Sequence, residues 1–156
     1  MAASTGKETA HITCPKETQA PIIIPPSYTT DTPSESFIDS SCGIISWHTL
    51  FSQPHSPDSE LSAGVANCPP VNGHLCAHRH VQAEIYYIIE GEGEITIDGV
   101  TSQVTKGSSV FIPSDAEHAI FNTGTGDLRW FYVFPTSAFE DVVYKFSKDE
   151  CPGAKL

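Results

Sequence analysis

The feature that most constrains the fold of this chain is a series of short apolar or alternating runs from Gly43 onward, broken by turn residues about every ten positions. Runs of this length are typical of β-strands, and the longer periodicity of a stable helix is missing. Asp98-Gly99 predicts a two-residue hairpin between two such runs. The pattern therefore predicts an all-β protein, built as a single antiparallel sandwich or barrel. The predicted strands are Gly43–Phe51, Leu61–Asn67, Glu84–Glu90, Glu94–Asp98, Ser109–Pro113, His118–Thr123 and Leu128–Phe134.

The two ends of the chain differ from this central part. Residues 1–40 are rich in Thr, Ser, Pro and Glu, which predicts an extended or flexible N-terminal arm before a barrel over 41–148 and a tail over 149–156. Within the arm, Pro21-Ile-Ile-Ile-Pro25 is suited to covering a sheet edge of its own subunit or of a partner, which favours a homodimer. Periodicity does not decide whether residues 137–146 form a helical turn or a last strand.

Charge and cysteine usage restrict the partners and the location. The chain has 19 acidic and 8 basic residues and a formal charge of -11, so a small-molecule substrate is expected, and nucleic acid and membrane are not. No stretch approaches the roughly 18 apolar residues of a membrane helix, and the start does not resemble a signal peptide. The 5 scattered cysteines lack a Cys-x-x-Cys pair, which argues against a disulfide framework and favours the cytoplasm.

Four residues form a candidate metal site: His78, His80, Glu84 and His118. Side chains an even number of positions apart on a strand share a face, so the first three can point to the same interior, and His118 can approach from a separate strand. Imidazole and carboxylate together suit Fe, Zn, Mn, Ni or Co better than Ca or Mg. Such a set fills about four positions of an octahedral metal and leaves about two open for chemistry. Histidine is also an ordinary surface residue, which is the alternative.

The same residues carry a resemblance to a known family, the cupin superfamily. This resemblance implies a jelly-roll β-barrel, a commonly dimeric assembly and a metal bound by His78, His80, Glu84 and His118. Two departures affect turns only: the first glycine lies one residue closer to the histidine pair than in the family pattern, and an aspartate replaces a glycine. The matching motifs are Gly73-x4-His78-x-His80-x3-Glu84-x6-Gly91 and Gly107-x5-Pro113-x-Asp115-x2-His118-x3-Asn122.

Several neighbouring residues have both a functional and a structural interpretation. Tyr86 shares the face of the carboxylate ligand, so it can bind the metal, transfer a proton or simply pack. Asn122 can orient a ligand or satisfy strand-end backbone, and Arg129 can bind a substrate carboxylate or form a surface ion pair. Cys76 can be an interior thiol or a small buried apolar residue. The aromatic run at 130–134 supports an apolar pocket.

These observations predict a metal-dependent enzyme that acts on a small organic molecule. The favoured reaction is that of a mononuclear non-heme dioxygenase with iron as the metal. The first alternative is a non-oxidative lyase, isomerase or cyclase that uses the metal as a Lewis acid and Tyr86 as acid or base, because the His-x-His-x3-Glu-x-Tyr run resembles that of small cupin dimethylsulfoniopropionate lyases. The second alternative is a cupin that binds a metal or ligand without catalysis.

Overall fold

The computed structural model describes residues 20–57 and 59–147. The predicted tail and the first nineteen residues of the predicted arm lie outside this part of the chain. The helical segments are α1 (Tyr28–Asp31) and two 3-10 turns, η1 (Ser40–Cys42) and η2 (Phe139–Asp141). The strands are β1 (Gly43–Ile44), β2 (Ser46–Phe51), β3 (Ser62–Cys68), β4 (His74–Arg79), β5 (Glu84–Glu90), β6 (Glu92–Ile97), β7 (Val100–Thr105), β8 (Ser109–Ile112), β9 (His118–Asn122), β10 (Leu128–Phe134) and β11 (Lys145–Phe146).

Two antiparallel sheets face each other as a jelly roll. One sheet has the order β1-β4-β9-β6-β7, with β11 also paired to β4, and the other has the order β2-β3-β10-β5-β8. Successive strands repeatedly change sheet, so residues distant in sequence meet in the space between the two sheets. The predicted all-β, antiparallel fold is confirmed. The sheets are not closed into a continuous barrel, since no strand of the described part of the chain pairs across both sheets.

The core between the sheets is built by alternation along the strands. In β10, Trp130, Tyr132 and Phe134 are buried, whereas the residues between them are only partly covered. In β5, Tyr86 and Ile88 point inward together with Glu84. These side chains pack with residues of the facing sheet into one apolar cluster. The prediction that Glu84, Tyr86 and Ile88 of β5 face the interior is therefore confirmed. For β10, the sequence did not show which residues face inward, and the structure shows that Trp130, Tyr132 and Phe134 do.

The Asp98-Gly99 hairpin forms as predicted. Ile97 and Val100 are paired directly, so the loop between β6 and β7 has two residues. Asp98 has a φ of 46° and Gly99 a φ of 79°. Two consecutive residues with positive φ are typical of a type I′ turn, whose twist matches that of the flanking strands.

The described part of the arm is attached to the sheet. Glu35 forms an isolated antiparallel bridge with Trp47, and its carboxylate accepts hydrogen bonds from Trp47 Nε1 at 3.0 Å and from Thr49 N at 2.8 Å. Farther along, Phe37 packs on Trp47 with ring centroids 4.9 Å apart. The arm thus brings an aromatic side chain to the open end of the jelly roll. In the described residues, no helix is long and apolar enough to cross a membrane.

Candidate metal centre

The jelly roll brings together the four residues that the sequence singles out. His78 lies in β4 directly opposite His118 in β9, His80 follows the end of β4, and Glu84 begins β5 on the other sheet. One ring nitrogen from each histidine lies within 4.8 Å of the others. Glu84 Oε2 is 3.4 Å from His80 Nε2 and 3.4 Å from His118 Nε2. All four side chains are buried. The three predicted histidines therefore cluster between the sheets, with the Glu84 carboxylate beside two of them.

The backbone fixes the orientation and tautomer of each imidazole. His78 Nδ1 lies 2.8 Å from the carbonyl of Cys76, His80 Nδ1 2.9 Å from that of Gln82, and His118 Nδ1 2.9 Å from that of Ala116. A carbonyl only accepts hydrogen bonds, so each Nδ1 carries the ring proton. Each Nε2 is then left with a free lone pair, which is the form that binds a metal.

The converging atoms have no hydrogen-bond partners among the described residues. They are His78 Nε2, His80 Nε2, His118 Nε2 and Glu84 Oε2, all of them buried. With the ring protons on Nδ1, all four atoms are acceptors, and buried acceptors without donors are costly. A divalent cation bound by three nitrogens and one oxygen would satisfy all of them at once. The residues present therefore fit a transition metal, as the sequence predicts.

Burial keeps the His78 imidazole in the form that binds a metal. Burial is the main reason that the pKa of His78 lies well below its usual 6.5, and the neighbouring His118 imidazole lowers it further. His78 is therefore neutral at physiological pH. A neutral imidazole is required for metal binding, since protonation of Nε2 removes the lone pair.

A small cavity adjoins the ligand set. Its wall includes Glu84, Tyr86, Trp130, Tyr132 and Tyr144, and it is mainly aromatic, with a few aliphatic side chains and one carboxylate. About 20 Å³ is open to the centre of a water molecule, which is space for about one water. The cavity thus places three phenols, those of Tyr86, Tyr132 and Tyr144, around the same small space as the predicted ligand Glu84. Tyr86 and Tyr144 also contact the histidines of the ligand set.

Both phenols are held in the protonated form. Burial raises the pKa of Tyr86 well above its usual 10.0, and the charge of Glu84 raises it further. The pKa of Tyr144 is raised for the same two reasons, in the same order. In the protein without a cation, these groups are hydrogen-bond donors and not bases.

Tyr144 is the functional candidate that the sequence analysis missed. Its ring stacks on His78 with centroids 4.8 Å apart and lies edge-on to His80 at 5.5 Å. It belongs to the segment between η2 and β11, whose structure the periodicity left open. Because Tyr144 lies 26 positions beyond the last predicted ligand, His118, and outside any predicted strand, no spacing could connect it with the site. The pairing of β11 with β4 is what brings Tyr144 next to the histidines.

Asn122 and Arg129, two other residues that the sequence suggested for binding, have structural contacts instead. The Asn122 amide donates to the carbonyls of Cys68 at 2.9 Å and Gly126 at 2.8 Å, and its oxygen accepts from Gly124 N at 2.9 Å. Asn122 therefore holds a turn, which is one of its two predicted interpretations. Arg129 pairs with Glu90 at 3.6 Å at the surface, away from the cavity. It is not positioned to bind a substrate there.

Cys76 and the remaining histidines also lie outside the ligand set. Cys76 is buried, as expected, but it is disulfide-bonded, whereas the cysteine pattern argued against disulfides. Pairing could not be read from five scattered cysteines, because a single sequence does not define connectivity. His74 stacks on Phe121, and His48 Nε2 lies 3.1 Å from the carbonyl of Thr32. Among the described residues only one histidine cluster forms, and His11 lies outside them.

Comparison with known proteins agrees with this geometry. A family model described as "Cupin domain" matches residues 68–134, the span that contains all four converging side chains. Dimethylsulfoniopropionate lyase DddW of Ruegeria pomeroyi is 36% identical over 110 residues, which cover 70% of this chain and 70% of the relative. The chain belongs to the cupin family. This cupin also matches an uncharacterized protein of Methanocaldococcus jannaschii, at 39% identity over 38% of this chain and 49% of that protein.

Solved structures support the same fold. The polyketide cyclase RemF of Streptomyces resistomycificus superimposes with a TM-score of 0.64 at 19% identity, covering 82% of this cupin and 89% of the cyclase. A predicted oxalate decarboxylase of Thermotoga maritima superimposes with a TM-score of 0.53 at 28% identity, over 58% of this cupin and 78% of that chain. The named relatives differ in chemistry, so the fold alone does not assign a reaction.

Proposed function

We propose that this cupin is a metal-dependent lyase that cleaves dimethylsulfoniopropionate or a close analogue. The observation that carries the proposal is the grouping of four buried acceptor atoms without hydrogen-bond partners next to the phenols of Tyr86 and Tyr144 in one mainly apolar cavity. The similarity to a lyase of that name over 70% of both chains supports this choice among cupin chemistries. The predicted dioxygenase activity stays a prediction, and the experiment below separates it from the lyase.

His78, His80, Glu84 and His118 are proposed to hold the metal. Iron is the predicted ion, and Zn, Mn, Ni and Co suit the same three nitrogens and one oxygen. When bound, the metal supplies positive charge that polarises a substrate carboxylate and lowers the pKa of nearby phenols. The aromatic wall excludes water and gives favourable contacts to a sulfonium cation through the faces of the rings.

The proposed reaction is a β-elimination. The Tyr86 phenolate removes a proton from the carbon next to the substrate carboxylate. The electron pair of that C–H bond forms a carbon–carbon double bond as the bond to sulfur breaks. Sulfur keeps the pair of the broken bond and leaves as neutral dimethyl sulfide, and acrylate remains. No oxidant is consumed, because the charge of the sulfonium is neutralised by the electrons of the broken bond.

Tyr144 is proposed to act beside Tyr86 as a hydrogen-bond donor. Its ring is fixed against His78 and His80, and it lines the same cavity. A phenol that stays protonated can orient the carboxylate of a substrate and exclude water without taking a proton itself. Replacement of Tyr144 is therefore expected to change KM more than replacement of Tyr86 does.

The test is an anaerobic assay of the protein reconstituted with Fe(II). Dimethyl sulfide in the headspace and acrylate in solution should appear in equal amounts. Tyr86→Phe keeps the ring but removes the proton-accepting oxygen, so kcat should fall by about 100-fold or more. Tyr87→Phe, on the outer face of β5, is the matched control and should keep full activity.

Three results would contradict the proposal. Absence of dimethyl sulfide under all metal conditions would reject this substrate. Turnover that requires oxygen would favour the dioxygenase. Unchanged kcat in Tyr86→Phe would remove the proposed base. A metal-binding protein that turns over none of the sulfonium, phenol and diketone substrates would fit the non-enzymatic alternative.

Assembly and location stay predictions. The homodimer and the absence of nucleic-acid and membrane partners rest on the sequence. The cytoplasmic location also rests on the sequence, and the disulfide at Cys76 counts against it, because stable disulfides are typical of oxidising compartments.

A further inference from the structure

The cavity beside the ligand set is too small for the substrate proposed above. Its free space holds about one water molecule. Part of the cavity wall must therefore move when a substrate of that size binds. The wall includes three aromatic residues from outside the ligand strands, Phe37 of the arm, Trp47 of β2 and Phe139 of η2.

A larger groove lies on the other side of this wall. It has a volume of about 530 Å³ and runs between the arm and the loop after β2. Its lining includes Ile22 and Tyr28 of the arm, Thr49 and Phe51 of β2, and Phe139 and Glu140 of η2. Of the residues that line the cavity and the groove, only Phe139 lines both. Phe139 is thus the side chain that the groove and the cavity have in common.

Phe139 is held by local polar contacts and by ring contacts that include Trp47, whose ring centroid is 6.1 Å away. Its backbone N donates to Ser52 Oγ at 2.9 Å, and the carbonyl of Ser137 accepts from Gln53 N at 2.9 Å. Its ring contacts Tyr132 at 5.5 Å and Phe134 at 5.9 Å between centroids. Phe139 lies in a 3-10 turn of three residues outside both sheets. Displacing it therefore breaks no strand pairing, and such local openings are the least costly ones in a protein.

We propose that Phe139 is the gate between the groove and the metal cavity and sets the size of the substrate group that the cavity accepts. The substrate travels through the groove, and the ring of Phe139 swings aside to admit it. Glu140 at the groove end favours a substrate with a cationic group. The sulfonium part of this inference rests on the proposed function, whereas the position of the gate does not.

The test uses cobalt(II)-substituted protein and two ligands of different size, imidazole and 4-phenylimidazole. Binding is followed by the change in the visible cobalt spectrum, so no turnover is needed. In Phe139→Ala, 4-phenylimidazole should bind about tenfold more tightly than in the wild type, and imidazole should change by less than about threefold. Phe51→Ala removes an equal ring from the groove alone and should leave both affinities unchanged.

Two further variants cover the case in which Phe139→Ala does not fold. Phe139→Leu keeps an apolar side chain and should show the same selectivity change to a smaller extent. Ser52→Ala releases the backbone of Phe139 and should accelerate imidazole association in stopped-flow measurements. An unchanged preference between the two ligands in folded Phe139 variants would overturn the gate.

The outcomes separate this inference from the proposed function. Altered ligand selectivity without dimethyl sulfide production supports the gate and rejects the substrate. Dimethyl sulfide production with unaltered selectivity rejects the gate alone. Absence of any cobalt spectrum rejects the metal centre, and the gate with it.

Discussion

At the scale of single residues, the histidine rings are positioned by the main chain. Each Nδ1 faces a backbone carbonyl two positions away in the sequence, at Cys76, Gln82 or Ala116. A contact of this kind depends on local backbone shape and not on a distant partner. It commits each ring to one tautomer, and the three Nε2 atoms lie together, two of them 3.4 Å from Glu84 Oε2, before any ion arrives. Such preorganisation lowers the cost of metal binding.

Removal of one ligand should therefore release the metal. In His78→Ala or His118→Ala, metal affinity is expected to fall by at least about tenfold, because the remaining donors cannot complete the shell. Elemental analysis of protein purified without chelator measures the metal content directly. His74→Ala, which removes a histidine stacked on Phe121 in the same strand as His78, is the control and should keep wild-type content. Unchanged metal in both ligand variants would contradict the site.

Alkaline pH should destabilise this fold through Tyr132. Burial raises its pKa above the usual 10.0, and the hydrogen bond with Thr49 only partly offsets this. Above pH 10 the unfolded chain has lost the phenol proton that the folded chain keeps, so the free energy of unfolding falls as pH rises. Below the pKa of the unfolded state, this contribution to stability is fully present.

The Tyr132→Phe variant tests this linkage. Its free energy of unfolding in urea should fall less steeply above pH 10 than that of the wild type, by up to about 1.4 kcal/mol per pH unit. Tyr87→Phe, which changes a half-exposed tyrosine, is the control. Parallel pH profiles for wild type and Tyr132→Phe would contradict a buried, protonated phenol at this position.

At the scale of elements, the β6–β7 hairpin depends on backbone conformation at one glycine. Gly99 has a φ of 79°, and an added Cβ would meet nothing within 4 Å. Gly99→Ala should therefore cost about 1 kcal/mol from backbone strain alone. Gly126 also has open space around a Cβ but no positive φ, so Gly126→Ala should be neutral or slightly stabilising. Urea unfolding measures both, and equal effects would contradict the explanation by strain.

The strands that the sequence predicts well are those whose pattern is set by burial. β5 and β10 begin and end at the predicted residues, because alternation or a long apolar run is unbroken there. β4 was not among the predicted strands, although it carries His78. Its inward positions include histidine and cysteine, and a proline and glycine turn precedes it. Functional polar residues on an inward face remove the apolar signal that identifies a strand.

The sequence predicts the residues of the site only where they are close together in the chain or match a family motif. His78, His80 and Glu84 lie within seven positions, and His118 matches a family motif. Tyr144 and Phe139 reach the cavity through tertiary pairing of a segment without periodicity. The aromatic wall that limits the cavity could therefore not be derived from the sequence.

At the scale of the whole molecule, the two faces of the β2-β3-β10-β5-β8 sheet differ in their environment. The inner face lines the cavity, whereas the outer face exposes Ile85, Tyr87 and Phe111, the last with 64% of its surface accessible. Ile85 pairs directly with Phe111, so these side chains are adjacent. Contiguous apolar surface of this kind marks an interaction site. The outer face is thus a suitable interface for the predicted homodimer.

If the predicted homodimer forms through this face, a charge placed on it should dissociate the subunits. Phe111→Lys is expected to shift the protein to a monomer in light scattering coupled to size exclusion, because a buried unpaired lysine is costly. Val100→Lys, at an exposed position in β7 of the other sheet, should leave the mass unchanged. A wild-type monomer, or a dimer that resists the Phe111 change, would contradict the prediction for this face.

The carbonyl contacts of the three imidazoles also affect how the protein can diversify. Because main-chain atoms orient the rings, exchanging a wall side chain that is not stacked on them leaves the orientation of the proposed metal ligands intact. Phe37 and Phe139 can thus be varied as a library for new substrates while the proposed ligands, Tyr86 and Tyr144 stay the same. The residues proposed for catalysis are thus different from the residues proposed to select the substrate. This difference makes the protein a suitable starting point for directed evolution.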